Sequence, residues 1–376
     1  MNSPLKKLLL MSTPVGVLGT GQGGGVELTV QNVAQELQQR GHQIKVVAPI
    51  GSVLKGIEVI EIAGNLQVAV QTQGRDVPIY LPEDAVLANM WDYARQVHHN
   101  YDLIVNFAYD WLPFYLTPFF DTKIAHFISM GSMTQALDKI MNQIAEHYPH
   151  CIGVYTKSQA STFPFAEQCE ILSSAIDLSL YDFRETPGAS MAWLGRIAPE
   201  KALEDAVAAA SIAGIPLHVY GRIEDRAYWQ QIQQDFPDAP IKYKGFLPTE
   251  QLQQELGKAR ALIMTPRWLE AFGNVAIEAL ACGVPVIAYR RGGPAEIVRD
   301  GKTGFLVEPD SINGLVTAIQ NIDSVDRIDC RQQAETEYSL TVLGDRFEAW
   351  FDQIITRSSS NFSHHDEPRT VINKDI

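Results

Sequence analysis

The sequence predicts an α/β protein built as two parallel-sheet domains in tandem. Short, wholly apolar runs alternate with segments of helical periodicity. That alternation breaks once near the middle of the chain and then restarts. Length agrees: at about 100–200 residues per domain, 376 residues make two domains, each long enough to bury its own core.

Leu5–Ser12 is a short apolar run, the pattern of a strand buried on both faces. A glycine-rich stretch, Gly16–Gly25, follows. Glu27–Arg40 predicts a helix: Val30, Val33, Ala34 and Leu37 share one face, and Gly41 stands where a helix stop belongs. Ile44–Ala48 predicts the next strand. Strand, helix, strand in this order implies parallel pairing and a right-handed crossover. Leu103–Phe107, Ile124–Ile128 and Ile152–Tyr155 continue as buried strands. The rhythm breaks over Arg184–Ser190, which holds Pro187 and Gly188. It resumes with a strand at Met191–Leu194, a helix over Ala202–Ala213, and strands at Leu217–Tyr220, Ile241–Lys244 and Leu262–Met264. The helix Val275–Ala281, the strand Val284–Ala288 and a late helix over Leu340–Arg357 complete it. The division is therefore 1–187 for the first Rossmann-like domain and 188–339 for the second. The helix 340–357 follows, then a polar, aperiodic tail over 358–376 predicted to be disordered. Two such domains facing each other leave a cleft, a favoured place for a ligand.

Composition bounds the partners. Hydrophobic residues make up 46% and charged residues 20%, the balance of a soluble globular protein. A net charge of −14 argues against a nucleic-acid or anionic-membrane surface as the main partner. The four cysteines, Cys151, Cys169, Cys282 and Cys330, are dispersed, which fits a reducing setting and not a zinc site or a disulfide framework. Lys6 and Lys7 before an apolar run resemble a signal peptide, but the run is too short and meets Pro14 and glycines. No apolar stretch approaches the ~20 residues of a membrane span. A cytoplasmic protein without stable membrane insertion is expected; the oligomeric state is open.

The chemistry concentrates in the second half. Glu270-Ala271-Phe272-Gly273-Asn274-Val275-Ala276-Ile277-Glu278 places two carboxylates around the start of a helix. Backbone N–H groups over Phe272–Val275 would face a negatively charged ligand there. Glu278 could accept from a ribose diol and Glu270 from sugar hydroxyls. Spacing alone leaves open the other reading, two solvated surface charges. Gly195-Arg196 and Pro199-Glu200-Lys201 follow a strand, so Arg196 and Lys201 could clamp a diphosphate. Surface salt bridges with Glu200 or Glu204 are the alternative. In the first half, His126 lies on a predicted apolar strand, where a histidine is commonly a satisfied core residue. The aromatic group Phe107, Tyr109, Trp111, Phe114 and Tyr115 reads either as packing or as a stacking wall for a flat acceptor.

These motifs, with Ala281-Cys282-Gly283-Val284-Pro285-Val286, Gly292-Gly293-x-x-Glu296-Ile297-Val298 and Asp300-Gly301-Lys302-Thr303-Gly304, resemble a retaining glycosyltransferase of the GT-B fold, glycosyltransferase family 4. The match is ordered across most of 191–310. It is weaker in the first half, where Gly23-Gly24-Gly25-Val26-Glu27 and Asp110-Trp111 carry it. The resemblance implies roles. Arg196 and Lys201 bind the donor diphosphate, Glu278 the ribose, and Glu270 the donor sugar. Phe272, Gly273, Asn274 and Val275 offer backbone contacts; Gly245, Phe246 and Leu247 read the nucleobase. Gly24 and Gly25 lie near the donor phosphate, and His126 lies near the reacting sugar. Glu27, Tyr109, Asp110 and Trp111 are the acceptor-side candidates. It also implies retention of configuration without a metal ion, a nucleotide-sugar co-substrate in place of any cofactor, and a late helix crossing back to the first domain. No Asp-x-Asp motif occurs. Ser12–Gly16 and Asn106–Pro113 resemble the cyanobacterial group that glucosylates tetrahydrobiopterin from UDP-glucose.

The sequence departs from the family pattern at three places. Tyr109 stands where many relatives have a histidine, which puts inherited acceptor contacts in question. Ala202 replaces a common glycine, and Ser173-Ser174-Ala175 stands where Pro-Asn-Gly is usual. A non-catalytic nucleotide-sugar binder is the first rival. An NAD-dependent oxidoreductase is the second, because Gly19-Thr20-Gly21-Gln22-Gly23-Gly24 fits G-x-G-x-x-G. Thr13–Leu18 separates those glycines from the strand, and Ala48-Pro49 stands where an acid for an NAD ribose belongs.

Overall fold

A computed structural model describes residues 4–20, 25–68 and 75–357. Gly24 and the predicted tail 358–376 lie outside them. Two all-parallel sheets carry the fold, as the apolar runs require. The first contains β1 (Lys7–Met11), β2 (Gln43–Pro49), β3 (Glu58–Ile62), β4 (Leu103–Asn106), β5 (Ile124–Ile128), β6 (Ile152–Val154) and β7 (Cys169–Ile171), ordered β3-β2-β1-β4-β5-β6-β7. Leu9 of β1 pairs with Lys45 on one side and Ile104 on the other. The second contains β8 (Met191–Leu194), β9 (Leu217–Tyr220), β10 (Ile241–Gly245), β11 (Leu262–Met264), β12 (Val286–Tyr289) and β13 (Gly304–Val307), ordered β10-β9-β8-β11-β12-β13. The two Rossmann-like domains of a GT-B architecture are thus present.

Helices cover the sheets. In the first half, α1 (Gly25–Gln39) buries Val30, Val33, Ala34 and Leu37 on the sheet. Farther along, α3 (Trp111–Leu116) follows β4, and the short α5 (Lys157–Ala160) follows β6. In the second half, α6 (Leu203–Ala213) follows β8, α8 (Thr249–Gly257) follows β10, and α9 (Asn274–Ala281) follows β11. The strand expected to begin at Val284 begins at Val286. Gly283 is left-handed (φ +75°) in the turn after α9, and that turn delays the strand.

One apolar core runs through both halves. Tyr155 of the first half packs on Phe272 of the second, ring centroids 5.5 Å apart. The helix α13 (Leu340–Thr356) lies against α1 of the first half. Phe347 packs on Phe127 at 5.6 Å, and the Trp350 indole N–H donates to the His150 carbonyl at 2.7 Å. Among the described residues no helix is long and apolar enough to cross a membrane.

Candidate active site

In a parallel sheet, loops leaving adjacent strands part where the strand order reverses, and a crevice opens at the carboxyl edge. In the second sheet that reversal falls between β8 and β11. The loops framing it are Gly195–Ala202 and Thr265–Gly273, the segments that carry Arg196, Lys201 and Glu270.

Lys201 closes a turn that Ala202 terminates with left-handed backbone angles, φ 44° and ψ 54°. That conformation accounts for the family's glycine at this position. The Lys201 ammonium is ion-paired with the Glu270 carboxylate and sits 4.9 Å from the centroid of the Trp268 ring. The Trp268 indole N–H donates to the same carboxylate oxygen at 3.0 Å. Glu270 is therefore held by two donors. Arg196 donates to Glu224 at 2.6 Å and to Glu200 at 2.9 Å. Burial pulls its pKa down, but the bond to Glu224 and the charges of Glu224, Glu200 and Glu270 outweigh it, so the guanidinium stays charged.

The Glu270–Phe272 loop is placed by backbone meeting backbone. The Gly293 N–H donates to the Glu270 carbonyl at 2.7 Å. A Cβ on Gly293 would stand 2.2 Å from the Phe272 carbonyl oxygen, and one on Gly292 2.5 Å from that of Glu270. The paired glycines of the Gly-Gly-x-x-Glu motif are thus a steric requirement. Gly273 (φ 96°) then turns the chain into α9. Val275 follows in the first turn of α9, partly buried and packed against the core. Asn274 opens the helix, and its Oδ1 is buried with no hydrogen-bond partner. Facing it is Gly25, the first residue of α1, where a Cβ would lie 3.0 Å from Asn274 Nδ2. The amino ends of two helices, one from each half, meet here, and such ends attract anions.

Glu278 lies about one turn further along α9. Burial pushes its pKa up from 4.5 to about 7, and the Tyr181 hydroxyl, which hydrogen-bonds it, pulls the other way. At the end of β10, Gly245 is left-handed (φ +77°) at an irregular register. Phe246 projects half-exposed with the Arg222 guanidinium 4.4 Å from its ring centroid, while Leu247 packs against the core.

The first half holds most of its candidates inside the fold. His126 is fully buried on β5. Its Nδ1 faces Asn106 Nδ2 at 3.2 Å, its Nε2 faces Thr117 Oγ1 at 2.9 Å, and its ring stacks on Phe114 at 4.4 Å. Burial drives its pKa down to about 3. His126 is thus a neutral histidine with both ring nitrogens engaged by the protein. Tyr109 is likewise buried, its hydroxyl accepting from the Met133 N–H at 3.0 Å, and burial raises its pKa. The buried Glu27 accepts from the Gly19 N–H at 2.6 Å and so braces the glycine-rich loop. Asp110 caps α3 through the Leu112 N–H at 3.1 Å and accepts from Gln67 at 3.1 Å, with its pKa raised by burial. Trp111 is partly exposed and stacks on Tyr115, ring centroids 4.4 Å apart. The sequence reasoning missed Trp268 and Tyr181. For Trp268 the available signal was an aromatic on a loop two residues before Glu270; nothing local marks Tyr181.

The fold and this crevice define a GT-B glycosyltransferase architecture. Comparison with known proteins agrees with it in both halves. Residues 187–336 match the family model "Glycosyl transferases group 1", and residues 23–129 match "Glycosyltransferase Family 4". Together they support a glycosyltransferase. Sulfoquinovosyl transferase SQD2 of Arabidopsis thaliana is 31% identical over 132 residues, 34% of this chain and 25% of that protein. The D-inositol 3-phosphate glycosyltransferase of Rhodococcus jostii is 42% identical over 81 residues, 21% of this chain and 18% of that protein. These alignments span a quarter or less of those relatives. Among solved structures, Anabaena HepE in complex with UDP-glucose superposes with a TM-score of 0.69 at 18% identity, covering 93% of this chain and 100% of that one. The sucrose-phosphate synthase of Thermosynechococcus elongatus gives 0.66 at 20% identity, covering 93% and 96%.

Proposed function

We propose that this chain transfers glucose from UDP-glucose to an acceptor hydroxyl, with the anomeric configuration retained and no metal ion required. The observation that carries the reading is the convergence of Lys201, Arg196 and the amino ends of α1 and α9 around one crevice. Both cations are now held by carboxylates. An arriving diphosphate would exchange for those partners, drawing Lys201 from Glu270 and freeing Glu270 to accept from sugar hydroxyls. As the C1–oxygen bond to the diphosphate breaks, negative charge grows on the departing phosphate oxygen. The two cations and the helix amides would stabilise that charge. The acceptor oxygen forms the new bond to C1 from the same face, and its proton passes to the departing phosphate oxygen, so no protein nucleophile is invoked. Glu278, when ionised, would accept from both ribose hydroxyls. The UDP-glucose complex of HepE supports the choice of donor.

For the acceptor we propose a reduced pterin, tetrahydrobiopterin, with the stacked Trp111–Tyr115 pair as its platform. A donor-by-acceptor screen with mass detection tests both levels. UDP-glucose with a pterin should yield a glucoside and UDP, also in the presence of a chelator. An intact donor with every acceptor would instead make the chain a nucleotide-sugar binder.

A further inference from the structure

Glu296 belongs to the Gly-Gly-x-x-Glu motif but does not touch the crevice contacts described above. Its carboxylate reaches across to the first half: Oε1 accepts from the Ser158 N–H at 2.6 Å and Oε2 from the Lys157 N–H at 3.1 Å. These amides open α5 directly after Thr156. The Thr156 hydroxyl is itself a junction. It accepts from the Gln159 N–H at 3.0 Å and donates to the Ala271 carbonyl at 2.8 Å. Ala271 directly follows Glu270. Just before Thr156, Tyr155 packs on Phe272 and shares a 2.6 Å hydrogen bond with Thr29 of α1. Gln159 secures the strap by donating to the Ile128 and Met130 carbonyls at 2.7 and 2.9 Å.

We propose that Glu296 and Thr156 are positioning residues that form a clasp between the halves, coupling domain closure to the placement of the Glu270–Asn274 loop. One carboxylate and one hydroxyl tie the strap to the second half at two points. One of those points is the backbone of the loop that carries Glu270. When the halves are together, the Ala271 carbonyl is fixed from the first half and the Glu270 carbonyl from Gly293. When they part, the loop loses the first of these two anchors. The clasp bears on the orientation of the carboxylate proposed for the sugar, while Glu278 and Arg196, proposed above for the nucleotide, are carried by α9 and the loop after β8 and have no bond to Glu296 or Thr156. The kinetic consequence rests on the transferase reading above; the structural consequence does not.

The test uses the full-length chain as wild type, Glu296→Ala, Thr156→Val and Thr156→Ser. UDP affinity is read by calorimetry, turnover of UDP-glucose by UDP release, and domain closure by small-angle scattering with and without UDP. Glu296→Ala and Thr156→Val should keep UDP affinity within about threefold and lower kcat about tenfold to a hundredfold, the scale of a small misplacement at a reacting centre. They should also enlarge the UDP-bound particle, and Thr156→Ser should restore both readouts. Unchanged kcat and scattering in both variants would overturn the clasp. So would a loss of UDP affinity equal to the loss of kcat, which would make these residues part of donor binding. If the wild type turns over no nucleotide sugar, the transferase reading fails, and the scattering of Glu296→Ala against wild type still decides the clasp.

Discussion

The two halves treat their candidate residues in opposite ways. In the second half, Arg196, Lys201 and Glu270 sit on loops, partly exposed, and their partners are one another or neighbouring carboxylates. The Arg196 pairs are well exposed and exchange readily for a charged ligand, since exposed ion pairs contribute little to stability; the Lys201–Glu270 pair is mostly buried and would part only against a charge that replaces it. In the first half, His126, Tyr109 and Glu27 are buried, with partners supplied by the protein itself. These groups are buried and hydrogen-bonded within the fold. The lesson is that a polar residue near a predicted site becomes a site residue only if its hydrogen bonds can be traded.

Substitutions can break or sharpen that contrast. The largest effect is expected for Lys201→Ala. It should lower kcat about a hundredfold to a thousandfold, as loss of one preorganised charge-stabilising donor does, with little change in Tm. A normal rate constant would remove Lys201 from the diphosphate clamp. His126→Ala should show the reverse. It leaves a cavity and removes one hydrogen-bond partner each from Asn106 and Thr117, costing about 2–4 kcal/mol of stability, while kcat in the folded fraction stays near wild type. A hundredfold lower kcat at unchanged stability would restore His126 to the chemistry.

The Glu278 carboxyl gives a pH test. A protonated carboxyl accepts from ribose hydroxyls more weakly than a carboxylate and through one oxygen fewer, and burial pushes the pKa up to about 7. UDP affinity should therefore rise with pH through about 7 and level off above it, changing at most about tenfold per pH unit below. Glu278→Gln should bind UDP weakly and flatten the profile. The folded-state pKa is raised, so the folded protein retains a proton that the unfolded chain loses between pH 4.5 and about 7. The stabilising contribution of that proton is lost as pH rises through this window. The smallest effect is expected for Ala202→Gly. Relief of the left-handed alanine should raise stability by roughly 1 kcal/mol and leave turnover unchanged, as a thermal melt and a rate assay would report.

Much of this was legible in the sequence, for identifiable reasons. Strands such as β6 and β11 are apolar throughout because both faces are covered, so they stand out as runs. By contrast, β3 reads Glu-Val-Ile-Glu-Ile at a sheet edge, half-exposed, and β7 reads Cys-Glu-Ile, with a charge at its centre. Neither offers a run to detect. The motif around Glu270 could be found because its spacing is local. The pairing of Lys201 with Glu270 could not, since 69 residues separate them. The same holds for His126, whose partners Asn106 and Thr117 come from other elements.

The central claim is that charge on a departing diphosphate is neutralised by Arg196, Lys201 and the amino end of α9. A crystal structure with UDP bound tests it most directly. The account predicts phosphate oxygens within hydrogen-bonding distance of both side chains and of the Phe272–Val275 amides, with Lys201 parted from Glu270. Phosphates bound away from these groups, with the Lys201–Glu270 pair intact, would contradict it.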